Sequence, residues 1–183
     1  VIVSINSSKN WNIPTSYLGA DLKIDDIYFK SQPPMPGAAL NFDGVDDVVK
    51  LSSSINSQFA ANQITVEGWY YPTAYASASN PVPALITEAY LGDATVKFDM
   101  HLDGPAQNLV GGFFDGSWHT VSAPYTLNQW QHYACTYDQQ NLVLYINGVQ
   151  VATMPLTNPL PPATEEWRLG QRWDNPDYYQ GSM

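Results

Sequence analysis

Along most of this chain apolar and polar residues alternate with a period of two, in short runs broken by Gly, Pro, Asn and Asp. No stretch of helical length keeps a 3.6-residue period, so the pattern predicts strands and not helices. The clearest run is 96–103, where Val96, Phe98, Met100 and Leu102 alternate with Lys97, Asp99, His101 and Asp103. Such alternation predicts a strand with one buried face and one wet face. The clearest hairpin surrounds Asn147-Gly148, a dipeptide that supplies the positive φ angles of a two-residue type I′ turn. That turn pairs Ile146 with Val149 and Leu144 with Val151, which puts all four apolar side chains on a common face. Val96, Phe98, Met100, Leu102, Leu144 and Ile146 are therefore expected in one core. Further strands are predicted at 39–42, 48–51, 64–71, 84–89, 109–114, 118–121, 131–137 and 167–169, with loops at 72–83 and 158–162. Many short strands separated by turn residues predict an all-β sandwich.

Composition narrows the partners. The 183 residues can bury a full sandwich core, and length alone suggests one domain plus a fragment. Asp and Glu number 17 against 7 Lys and Arg, a net charge of -10. A basic patch cannot be assembled from that balance, which argues against nucleic acid and anionic membranes. No apolar run reaches the ~20 residues of a membrane span, so no membrane insertion is expected. The single cysteine, Cys135, excludes an intrachain disulfide, and its place in mid-strand predicts a buried, inert thiol. The chain begins at Val1 with neither Met nor a signal peptide, and is expected to be a processed, trimmed or partial chain.

Four segments then carry a family resemblance. They are Ala39 to Val49 (ALNFDGVDDVV), Ile64 to Trp69 (ITVEGW), Trp130 to Asp138 (WQHYACTYD) followed by Leu144 to Gly148 (LYING), and Trp167 to Gly170 (WRLG) with Tyr179 to Met183 (YQGSM). In this order they resemble the signatures of bacterial laminin G-like, concanavalin A-like modules, and the resemblance covers 37–183. It implies an antiparallel two-sheet jelly roll and a recognition role without catalysis. It further implies a secreted or cell-surface bacterial protein, with a glycan or cell-surface polysaccharide as partner beside other domains or chains of a larger assembly. A structural or cargo module with no small ligand, or an accessory domain of a polysaccharide-degrading enzyme, is the alternative.

The family continues past the Gly-x-Met position into a closing strand, whereas this chain stops at Met183, so the sandwich is expected to lack its last strand. Residues 1–31 resemble either that closing strand or, the reading preferred here, the two tail strands of a preceding secreted β-sandwich module. The Pro-rich stretch 32–36 reads as the linker between them.

The polar residues offer little catalytic chemistry. The alternating Glu-x-Asp-x-Glu run of glycosidases that share the sandwich is missing, and carboxylates gather in turns instead. His101, His119 and His132 lie on separate strands without metal-ligand spacing. Asp43, Asp46 and Asp47 surround Gly44, a set that could hold a structural Ca²⁺ or simply form an Asx-type turn with a solvated edge. For ligand binding the candidates are loop aromatics with planar polar neighbours: Trp173, Asp174, Asn175, Tyr178 and Tyr179 in one stretch, and Trp118 and Tyr125 about another turn. Sugars need both an apolar ring face to stack on and polar groups for their hydroxyls.

Overall fold

The computed structural model describes residues 39–59, 62–77, 79–89, 95–104, 106–173 and 177–183. The expectations for 1–31 and for the linker 32–36 lie outside the described residues, as do Asp174 and Asn175. The described strands are β1 (Asn41–Asp43), β2 (Val49–Leu51), β3 (Ile64–Pro72), β4 (Ala84–Glu88), β5 (Val96–Asp103), β6 (Asn108–Phe114), β7 (Trp118–Pro124), β8 (Gln131–Tyr137), β9 (Asn141–Ile146), β10 (Val149–Pro155), β11 (Trp167–Leu169) and β12 (Gln180–Ser182). They form two six-stranded antiparallel sheets, ordered β1-β12-β3-β8-β9-β10 and β2-β11-β4-β5-β6-β7. The fold is thus the two-sheet all-β sandwich that the period-two pattern predicts. One 3-10 helix, Ser53–Phe59, has no counterpart in the sequence reading. It is serine-rich and capped by its own side chains, with the Ser54 amide donating to Ser52 Oγ at 3.2 Å, and so leaves no apolar periodicity to detect.

The core lies between the sheets. Phe98, Met100 and Leu102 of β5 meet Leu142 and Leu144 of β9 there, with Ile146 partly buried against the same cluster, and Val96 is buried as well. Tyr70 and Tyr133 stack across β3 and β8 with ring centroids 5.3 Å apart. Each such side chain, taken from water to full burial, contributes about 1.5–3 kcal/mol. Cys135 is fully buried, and burial pushes its thiol up to about 12, which keeps it protonated and inert. Its neighbour across the sandwich is Gly111, where a Cβ would come within 2.8 Å of the Cys135 sulfur.

Two expectations need correction. Asn147 and Gly148 do take positive φ (52° and 76°), and Ile146 pairs with Val149. A bulge follows, however, so that Leu144 pairs with Ala152 and not with Val151. Val149 and Val151 are left exposed, while Ala152 and Met154 turn toward the core. The turn also serves β8: the His132 amide donates to Asn147 Oδ1 at 2.8 Å, and the Asn147 amide to the His132 carbonyl at 2.7 Å. That exchange gives a physical reason for the Trp-x-His segment and the Ile-Asn-Gly segment to occur together.

The second correction matters more for function. The polar face of β5 is not wet: Lys97, Asp99 and His101 are all buried. Residues between β10 and β12 cover them, with Pro161 meeting Lys97 and Arg172 meeting Asp99. Lys97 Nζ donates to the Pro161 carbonyl at 3.0 Å, and the buried Glu88 carboxylate takes the amides of Thr164 (2.6 Å) and Glu165 (3.0 Å). These contacts lay the covering segment down on charged groups, each of which is compensated.

Candidate functional site

Two loops build the site on that covered sheet. The first joins β6 to β7. Asp115 accepts from the Ser117 amide at 3.3 Å, meets His119 Nε2 at 3.0 Å and takes the Asn158 side-chain amide at 2.8 Å. Burial alone would raise the Asp115 carboxyl, but the hydrogen bonds from Asn158 and His119 outweigh it and hold its pKa below the ordinary value. This turn sets Trp118 at the head of β7 beside Phe114, ring centroids 5.2 Å apart, with 41% of the residue still exposed.

The second loop is the corner between β11 and β12. It starts at Gly170, whose φ of +86° suits glycine and whose Cβ, if present, would lie 2.3 Å from the Phe42 ring. The corner closes through the Tyr179 amide on the Gly170 carbonyl (2.7 Å) and the Arg172 amide on the Asp177 carbonyl (3.2 Å). At its tip Trp173 sits at φ 54°, a left-handed conformation that costs a bulky residue of order 1–3 kcal/mol. The Arg168 guanidinium donates to the Trp173 carbonyl and pairs with Glu166 at 2.6 Å, which ties the strained tip to β11.

The fold brings the two loops together. Trp118 and Trp173 stack with centroids 6.2 Å apart and planes 22° from parallel. Arg172 lies over both rings, its Cζ 4.2 Å from the Trp173 centroid and 5.4 Å from that of Trp118. The guanidinium is anchored below by Asp99, with Nη2 2.8 Å from Oδ2, and His101 Nδ1 lies 2.9 Å from the same oxygen. Burial opposes ionisation of Asp99, yet Arg172 and His101 prevail and bring its carboxyl down to about 2. Burial raises the nearby Asp177 carboxyl, with Arg172 and His101 pulling in the opposite direction.

Of the loop aromatics expected to bind, Trp118 and Trp173 form this platform. Tyr178 stands at the same corner, half-buried, its hydroxyl accepting from Gln171 Nε2 at 3.1 Å and its carbonyl from Asn80 Nδ2 at 2.7 Å. Tyr125 and Tyr179 do not join it. Tyr125 is buried under Tyr75, centroids 5.4 Å apart. Tyr179 is wholly buried, edge-on to Phe42 and donating to the Ser182 carbonyl at 3.1 Å, so it belongs to the core. Aromatic residues suit both roles, and their burial depends on which way the corner folds. Sequence reasoning missed the anchors Asp99 and His101, and read Arg172 only as a polar member of the stretch that carries Trp173. A signal was present, since Asp99 and His101 share a parity on β5 and Arg172 precedes Trp173.

A separate acidic turn lies near β1. Side-chain oxygens of Asp43, Asp46 and Asp47 fall within 4.8 Å of one another. The Val45 amide donates to Asp43 Oδ1 and the Asp43 amide to Asp47 Oδ2, both at 2.8 Å, so two of the carboxylates are held in place by the turn. An all-oxygen set of this kind fits a hard cation such as Ca²⁺, which takes further oxygens from backbone and water. Each histidine instead faces one acid: His101 with Asp99, His119 with Asp115, and His132 with Glu67 at 3.8 Å. Two concave regions lie away from the tryptophans, one of about 250 Å³ floored by Ala134 on the outer face of the first sheet and one of about 510 Å³ beside Leu160.

The twelve described strands, antiparallel in two sheets with an aromatic platform raised by loops on one outer face, make a two-sheet β-sandwich. Residues 43–183 match the model of the concanavalin A-like lectin/glucanases superfamily, laminin G type, and the chain belongs to that family. Solved structures agree on the fold. Domain 4 of AbnA, an extracellular GH43 arabinanase of Geobacillus stearothermophilus solved with arabinotriose, superposes with a TM-score of 0.64 at 18% identity, over 82% of this chain and 69% of that one. The CBM40 of the Ruminococcus gnavus IT-sialidase, bound to α2,3-sialyllactose, gives 0.59 at 16% identity over 79% and 86%. Domains LG4-5 of the mouse laminin α1 chain give 0.55 at 14% identity over 85% and 40%. No curated protein matches the chain.

Proposed function

We propose that this chain is a non-catalytic glycan-binding module of a larger secreted or cell-surface protein, and that it holds sugar against Trp118 and Trp173. The observation that carries the reading is the platform itself. Two indoles distant in sequence are stacked 6.2 Å apart, and Trp118 is left 41% exposed. The exposed part of the Trp118 indole offers apolar surface to the C–H face of a sugar ring, and Tyr178 adds a hydroxyl at the same corner. The sugars bound to structural neighbours, arabinotriose on one and sialyllactose on another, point the same way.

Binding is favoured over catalysis by the state of the nearby acids. Asp99 and Asp177 are both buried, and Asp99 is committed to Arg172 and His101. Neither stands as a solvent-facing acid across a cleft, as glycoside hydrolysis requires. A structural Ca²⁺ at Asp43, Asp46 and Asp47 would brace the β1 turn, and through Gly170, which lies against Phe42 and the Asp47 carbonyl, the start of the binding corner.

The test is a glycan microarray followed by affinity electrophoresis of the wild type and Trp118→Ala. Retention by a glycan that the variant loses, with circular dichroism unchanged, is the expected result. An array without hits would favour a purely structural module.

A further inference from the structure

We infer that the platform takes an uncharged sugar and discriminates against sialic acids, uronates and sulfated glycans. The inference rests on the glycan-binding reading and adds to it the charge class of the ligand, which the two carbohydrate-bearing neighbours leave divided.

The argument concerns where positive charge is available. A carboxylate or sulfate recognised on this face would require a cation with capacity to spare. Arg172 and Arg168 are the cations at the tryptophans among the described residues, and Arg168 is only 2% exposed. Arg172 is 8% exposed, its Cζ lies 4.2 Å from the Trp173 centroid, and its Nη2 is already 2.8 Å from Asp99. The other described Lys and Arg residues are engaged as well. Arg168 pairs with Glu166 at 2.6 Å, Lys50 with Glu166 at 3.6 Å, and the buried Lys97 donates to the Pro161 carbonyl at 3.0 Å.

Around the platform the balance is negative. Asp99 and Asp177 lie near Arg172, with His101 against Asp99, and Asp115 braces the turn that carries Trp118. Two carboxylates around one guanidinium, in a chain of net charge -10, leave a field that repels an incoming anion. To recruit Arg172, a ligand carboxylate would have to reach a guanidinium that is 8% exposed and whose Nε is enclosed by protein. Competing for Nη2 would leave the buried Asp99 with His101 alone, an unfavourable exchange. A neutral sugar meets no such obstacle. It needs an apolar face and dipolar partners, which Trp118 and the Tyr178 hydroxyl provide. Arg172 is then a positioning residue: it orients the indoles and is not spent on the ligand.

The experiment compares neutral with anionic ligands: methyl-esterified against de-esterified homogalacturonan, which share one backbone, and immobilised lactose against α2,3-sialyllactose, which adds a sialic acid, with neutral arabinan alongside. The neutral member is expected to bind at least about tenfold more tightly wherever either member binds. Raising NaCl from about 50 to about 500 mM should leave its retention unchanged, because no ion pair is available to screen. Tighter, salt-sensitive and Trp118-dependent binding of the charged members would overturn the inference while leaving the glycan reading intact. Binding of neither member above the Trp118→Ala control would overturn both. Asp99→Asn supplies a second arm where near-ultraviolet circular dichroism shows it folded: releasing Arg172 should narrow the preference for the neutral ligand. An unchanged preference in the folded variant would refute the role assigned to Asp99.

Discussion

Asp99→Asn also tests the energetics of the layer beneath the platform. In the folded protein the carboxyl sits at about 2 against an ordinary value of 3.8. A group whose pKa is depressed by folding stabilises the native state above its unfolded value and loses that contribution as pH falls through its folded value. Nearly two units at 1.36 kcal/mol each amount to about 2.5 kcal/mol, present above about pH 4 and lost toward pH 2. Asparagine keeps the shape and removes the charge that Nη2 pairs with, leaving Arg172 only the neighbouring Asp177. Breaking a buried pair typically costs about 3–5 kcal/mol, and the second carboxylate places this case at the low end. The two routes converge on a loss of about 3 kcal/mol near pH 7. Urea unfolding followed by tryptophan fluorescence is the suitable assay, since Arg172 lies over Trp118 and Trp173 and their emission reports the site. The gap between wild type and variant should shrink as pH falls from about 4 to about 2, because the wild type then protonates Asp99 too. Removing both charges, in Asp99→Leu with Arg172→Leu, should restore much of the loss, since buried pairs are often replaceable by packed apolar side chains. A gap under about 1 kcal/mol near neutral pH, or one that does not change with pH, would refute the reasoning.

Two further outcomes follow from other parts of the structure. Gly112→Ala should destabilise the protein by about 3 kcal/mol or more, at the upper end of overpacking costs, because the new Cβ would lie 2.0 Å from the His119 carbonyl oxygen on β7. A melting temperature within about 1 °C of the wild type would contradict that packing. If Asp43, Asp46 and Asp47 hold Ca²⁺, adding the ion at about a hundredfold over its Kd should stabilise the fold by about 2.7 kcal/mol. Chelation should reverse the gain and Asp46→Asn should abolish it; a melting temperature indifferent to Ca²⁺ in the wild type would remove the site.

Strand positions were legible because backbone pairing and burial impose a local period. Val96, Phe98, Met100 and Leu102 alternate as a strand buried on one side must, and Asn147-Gly148 signals its turn by backbone preference alone. What lay beyond local chemistry was lost at once. The bulge that moves Leu144 onto Ala152 depends on how β10 meets the core, and no residue in the hairpin announces it. Tyr179 and Trp173 looked equivalent as loop aromatics, yet one is core and the other platform, because the corner begun at Gly170 folds between them. Lys97, Asp99 and His101 read as a solvated face, since alternation records which residues share a side and not what covers that side. Sequence alone therefore determined the sandwich, its strands and the aromatic supply. Tertiary structure decided that the segment after β10 lies over β5, that Arg172 meets Asp99, and that Trp118 meets Trp173. Those contacts join residues far apart in the chain, and their energy resides in desolvated charge and stacked rings that exist only once the sheets have closed.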